Sequence, residues 1–230
     1  MISLFTDISQ EVISGIALGS IYALIALGFT LIYKATEVVN FAQGELMMVG
    51  AFVNFFFVTQ FISSAGEPSL WIFFVALIGS IIFAVAFGWI LDFVINRPLK
   101  DEPIFSVIMA TISLSIILRA IVAMIAGPMS LLPVSPFGDN VIKIGGIVIS
   151  ILDIFIIGSA IILVSLFYYF FNKTRWGIAM QATSEDPIAA QLMGIPVNRV
   201  HALVWIFSAI VATISGILLA PRMSLLDTSM

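Results

Sequence analysis

The residues of this chain best suited to chemistry are clustered. Within Val38–Gly50, VVNFAQGELMMVG, the polar side chains of Asn40, Gln43 and Glu45 interrupt an apolar run, with Phe41 and Gly44 among them. Glycine weakens a regular helix, so the run reads as a break in a span. A carboxylate at membrane depth is costly unless it faces a pathway or a partner. Broken membrane helices also free backbone groups that can hold a polar solute. The chemistry on offer is reversible binding through hydrogen bonds and charge. A plainer reading stays open, in which the segment is an interfacial turn with Glu45 among lipid headgroups.

Arg119 stands in a long apolar run, Ile104–Ala126, seven residues before its end. At about 1.5 Å per residue that is roughly 10 Å from the end. The side chain therefore either snorkels to the nearby interface or lines an internal path. A third cluster is Thr183–Pro196, TSEDPIAAQLMGIP. Asp186 suits an N-cap, Pro187 the first helical position and Gly194 the residue past the end. The spacing predicts a two-turn helix, Pro187–Met193, that exposes Ile188, Leu192 and Met193. So short a helix is not stable alone. It either docks on a partner or lies on a membrane surface.

Catalytic chemistry finds no support. The chain has no cysteine and one histidine, which excludes disulfides, thiolate metal sites and thiol nucleophiles. His201 begins an apolar run and reads as an interfacial residue. No carboxylate cluster suggests a metal site, and no catalytic residue is assigned. No G-x-x-x-x-G-K-[ST] motif is present to cradle ATP phosphates.

These clusters must be positioned by membrane-spanning helices. Of 230 residues, 61% are hydrophobic and 10% charged, and the mean hydropathy is +1.20. Soluble domains carry about 25% charge, so the solvent here is largely lipid. Apolar runs at 12–33, 46–62, 70–95, 104–126, 151–171 and 200–220 can each cross a core of about 30 Å as a helix. They do not alternate as barrel strands would. The expected fold is an all-α, polytopic transmembrane bundle of about six or seven spans in one domain, 1–230. Val141–Ile149 reads as a small extended hairpin outside the core, and 172–199 as the main polar loop. With that loop in the cytoplasm, Lys34, Arg97, Lys100, Lys173, Arg175 and Arg199 lie inside, and Lys143 and Arg222 outside. This orientation satisfies the positive-inside rule. Gly15, Gly19 and Ala23 on the first span, and Ser208, Ala212 and Gly216 on the last, share helix faces that favour close packing.

The segment Gly15–Gly50, GIALGSIYALIALGFTLIYKATEVVNFAQGELMMVG, closely resembles the opening of branched-chain amino acid ABC transporter permeases, the H-type subunit of the Liv system. The family pattern ends in NFAHGE; Gln43 stands here in place of the usual histidine. Arg175–Ala220 resembles the same family's long cytoplasmic loop and following span. Ala189, Ala190, Gln191, Leu192, Met193 and Gly194 look like the EAA…G signature of ABC permeases. Ile188 takes the acidic position, and Glu185 and Asp186 lie just upstream.

The resemblance implies a multi-pass subunit of the bacterial cytoplasmic (inner) membrane. A second permease subunit, two cytoplasmic ATPases and an external solute-binding protein would complete an importer, with no role for nucleic acid. ATP and Mg would belong to the ATPases, and this chain would carry no cofactor. Asn40, Phe41, Gln43, Glu45 and Arg119 would serve the substrate path. Glu185 to Gly194 would form the ATPase-coupling segment. Family members usually continue with further spans, so a C-terminally truncated chain is expected. Relatives that import urea or short amides share the opening motif and provide an alternative substrate class. A self-contained ion-coupled carrier would be expected to show an inverted repeat and intramembrane carboxylates. No repeat is evident, and Glu45 is the one candidate carboxylate.

Overall fold

The computed structural model describes residues 2–36, 39–65, 70–99, 102–127, 141–144 and 147–223. Residues 66–69, Lys100 and residues 128–140 lie outside the described residues. Six helices are long and apolar enough to cross a bilayer. They are α1 (Ile2–Thr36), α2 (Gln43–Ala65), α3 (Leu70–Leu91), α4 (Ile104–Ala126), α5 (Ile151–Lys173) and α8 (Val197–Met223). Two shorter helices, α6 (Arg175–Glu185) and α7 (Pro187–Leu192), join α5 to α8. The chain is an all-α, multi-pass membrane bundle. The helices α1, α2, α5 and α8 run past the apolar stretches, because polar residues at their ends continue the backbone ladder, while α4 matches its stretch. The small hairpin is β1 (Val141–Ile144) with β2 (Ile147–Ser150), antiparallel, with Ile144 opposite Ile147.

α8 is the axis of the bundle. Of its apolar window 72% is buried, against 17–22% for α1, α3, α4 and α5. It packs against α1, α2 and α3. Small residues permit this closeness. A Cβ on Gly216 would overlap the carbonyl of Met47, and one on Gly88 would stand 2.8 Å from the Ile206 Cα. Lipid gives no hydrophobic drive to pack two helices, so such close contact carries much of their association. Ser208 and Ala212 are also buried.

The small-residue face expected on α1 packs against no other described part of this chain. Gly15, Gly19 and Ala23 are exposed, and a Cβ at either glycine would meet nothing within 4 Å. α1 instead buries Ala17, Ile21, Leu24 and Leu31. These larger side chains provide more atomic contacts than two glycines and an alanine, and dispersion is collectively large.

A π-helical turn, Asp92–Asn96, ends α3. It aims the buried Asp92 carboxylate at its own chain. Asn96 Nδ2 donates to it at 2.8 Å and Arg97 Nε at 2.9 Å. The polar loop 172–199 is largely helical rather than open. Thr174 closes α5 by donating to the Phe170 carbonyl at 2.8 Å, and it caps α6 by accepting from Gly177 N at 3.1 Å.

Candidate functional site

α2 begins inside the bundle, not at its surface. Asn40 and Gln43 are each 1% exposed. The Asn40 Oδ1 accepts from Ala42 N at 3.0 Å, shaping the turn into α2. The Ser208 hydroxyl lies 2.9 Å from Gln43 Oε1 and 3.1 Å from the Gly28 carbonyl oxygen. Gly28 makes room for the amide, since a Cβ there would overlap Gln43 Nε2. Gly28 precedes the end of α1 by eight residues, or about 12 Å. The chain after Thr36 thus returns about 12 Å before α2 starts. Breaks of this kind are tolerated only where backbone is shielded from lipid.

In the first turn of α2, Glu45 meets Arg119. Arg119 Nη2 donates to Glu45 Oε1 at 2.7 Å, across 74 positions of sequence. Arg119 lies fifteen residues into α4, roughly 22 Å from its first residue. The pair therefore sits about two-thirds of the way along α4, roughly 10 Å from its end. Arg119 reaches across to α2 while more than half of its side chain stays exposed. The Glu45 side chain is 11% exposed and that of Arg119 57%. Phe41 is half exposed beside this turn. The structure thus brings Asn40, Gln43 and Glu45 together at the head of α2 and adds Arg119 from α4. The amide nitrogens Asn40 Nδ2 and Gln43 Nε2 are buried with no hydrogen-bond partner.

The segment 185–194 is remote from this turn. Asp186 caps α7 by accepting from Ile188 N and Ala189 N, both at 2.9 Å. Gly194 adopts φ +85°, the left-handed conformation glycine takes most readily. The helix ends at Leu192, one residue short of the expected Met193, which forms the C-cap. Ala190 is buried, anchoring α7 to the body. Glu185, Asp186, Pro187 and Ala189 are exposed, and Ile188, Leu192 and Met193 are 73%, 82% and 84% exposed.

Two further carboxylates escaped sequence reasoning, which singled out Glu45 alone. Asp92 is fully buried. A signal was present in its spacing, an Asp four and five residues before Asn96 and Arg97, which a helical turn brings together. Asp153 is 4% exposed and forms an ion pair with Arg222. It also accepts from Ser14 Oγ at 3.3 Å, so one carboxylate ties α1, α5 and α8. No local pattern announces that contact. His201 was expected at an interface but is buried, lining a cavity of about 100 Å³ with Asp92, Asn96, Arg97 and Asn198. Among the described residues no group of three or more His, Asp or Glu side chains is placed to hold a metal ion.

Known proteins are similar to this sequence. The family model described as "Branched-chain amino acid transport system / permease component" matches residues 12–229. The high-affinity branched-chain amino acid transport system permease protein LivH of Salmonella typhimurium is 30% identical over 91% of this chain and 70% of its own length. The corresponding permease protein BraD of Pseudomonas aeruginosa is 29% identical over 95% of this chain and 72% of its own. A probable branched-chain amino acid permease protein LivH of Methanocaldococcus jannaschii is 29% identical over 94% and 68%. No solved structure matches significantly. With the family model covering nearly the whole chain, and a relative at this identity along most of its length, the chain belongs to the family of branched-chain amino acid transport permease components.

Proposed function

We propose that this chain is the membrane-spanning subunit of an ABC importer for branched-chain amino acids in the bacterial cytoplasmic membrane. In this reading it works with a second permease subunit, two ATPases that bind ATP and Mg, and an external solute-binding protein. The observation that carries the reading is α7. A six-residue helix with capped ends presents Ile188, Leu192 and Met193 outward. Burying one such side chain contributes roughly 1.5–3 kcal/mol, so Ile188 and Leu192 suffice to anchor it in a groove of an ATPase. Ala190 and the Gly194 turn fix it to α6 and α8, and α8 is the bundle axis. A push on α7 is therefore delivered to the helix that packs against α1, α2 and α3.

The test is Leu192→Asp. Pull-down of the ATPase should fall at least tenfold and leucine uptake should drop with it, while membrane insertion and solute capture by the external protein persist. If both pull-down and uptake stay intact, α7 is a surface helix and the coupling role is wrong.

A further inference from the structure

A cavity of about 320 Å³ lies between α2, α3 and α4, its lining starting within one helical turn of Glu45 and Arg119. Val49, Phe52, Phe87, Leu118, Val122 and Ala126 are among its lining, which is wholly apolar. Neither charged residue lines the cavity itself, but their neighbours along both helices do. Val49 lies one helical turn beyond Glu45, Leu118 directly precedes Arg119, and Val122 lies one turn beyond it. One region thus offers a carboxylate, a guanidinium and an apolar recess close together within the spans.

The pair is unusual in how little it satisfies itself. Arg119 gives Glu45 one N–H at 2.7 Å while its side chain stays 57% exposed. A guanidinium carries five N–H donors in a flat fork that matches a carboxylate. Left facing lipid at this depth it would be costly. A ligand that met it would need a carboxylate for Arg119, a cation for Glu45 and an aliphatic body for the recess.

Building on the importer reading above, we propose that this cavity and the Glu45–Arg119 pair form a binding site for an aliphatic α-amino acid in its zwitterionic form. The α-carboxylate takes the free edge of Arg119. The α-ammonium takes Glu45. The side chain enters the recess beside Val49 and Leu118. An acyl chain of lipid would fill the recess but leave both charges unmet. A neutral amide would leave the guanidinium fork without its anion, and an unmet buried polar group is penalised heavily. The ion pair is then the resting form of the site, opened when the zwitterion replaces it.

The test uses the assembled transporter in phospholipid vesicles with its ATPases and solute-binding protein. Val49→Phe narrows the recess. Leucine uptake should fall at least tenfold and alanine uptake less than twofold; equal falls, or none, would overturn the assignment. The exchange Glu45→Arg with Arg119→Glu keeps an ion pair but reverses the charges. If it restores leucine uptake to the wild-type rate, the pair is a structural latch and the site is wrong; uptake at least tenfold down in an assembled complex is expected. A third measurement needs no substitution. In the wild-type complex, leucine should slow phenylglyoxal modification of Arg119 at least fivefold, and leucinamide should not. Equal protection by both, or none by leucine, overturns the proposal. A wild-type complex that carries neither leucine nor alanine would refute the importer reading instead.

Discussion

Gly216→Ala and Gly15→Ala make the same chemical change on two helices and should act with opposite sign. At Gly216 a new Cβ would stand 2.9 Å from the Met47 carbonyl carbon and 3.0 Å from its Cγ, and closer still to the carbonyl oxygen. Carbon atoms prefer roughly 3.5–4.0 Å, so α8 and α2 must separate by about 1 Å. Overpacking of this kind costs about 1–3 kcal/mol. At Gly15 the new methyl meets nothing within 4 Å. Helical alanine there gains about 0.5–1 kcal/mol over glycine. The propensity gain is common to both sites, so the difference between the variants isolates the packing term, about 1–3 kcal/mol. Unfolding in mixed micelles by added denaturing detergent, followed by tryptophan fluorescence, measures it. Variants within about 0.5 kcal/mol of each other would show that the α2–α8 contact is not tight, and the case for α8 as the axis would fail with it.

Asp153→Asn removes one partner of a largely buried ion pair and should destabilise the chain by about 3 kcal/mol in the same unfolding assay. Adding Arg222→Met should recover part of that loss, because no unpaired charge then remains; a double variant weaker than the single would refute the ion-pair account. Ser184→Cys, at the end of α6, should react with an impermeant thiol reagent only when the cytoplasmic face is open. Labelling in intact cells would invert the orientation argued from the basic residues.

The six spans were legible because a hydrophobic run of about 20 residues leaves the backbone few alternatives to a helix. The caps of α7 were legible for a similar reason: Asp186, Pro187 and Gly194 act on neighbours within a few residues. Contacts across the chain were not. Glu45 and Arg119 each stood out as polar residues in apolar runs, yet nothing in either run pointed to the other. Gln43 was noted, but its bond to Ser208 depends on how α1 and α8 cross, and Ser208 had been read only as a small residue. The two small-residue stripes make the point most sharply. Both have four-residue spacing, yet Ser208, Ala212 and Gly216 are buried while Gly15, Gly19 and Ala23 are exposed. Spacing identifies a face, and only the remaining helices decide what stands opposite it. Asp153 and Arg222 were hidden by the same distance in sequence.

The start of α2 inside the bundle also imposes an order on biogenesis. The polar head of α2 leaves the ribosome long before the groups that satisfy it. Arg119 follows Glu45 by 74 residues, and Ser208 follows Gln43 by 165. At synthesis rates of about 5–20 residues per second, Glu45 waits about 4–15 s for its counter-charge and Gln43 about 8–33 s for its hydroxyl. During that interval the head of α2 cannot rest stably in hydrocarbon. It must stay near the interface or the insertion machinery and settle inward only when α8 arrives. A span made much later, α8, is the one that draws the second into place.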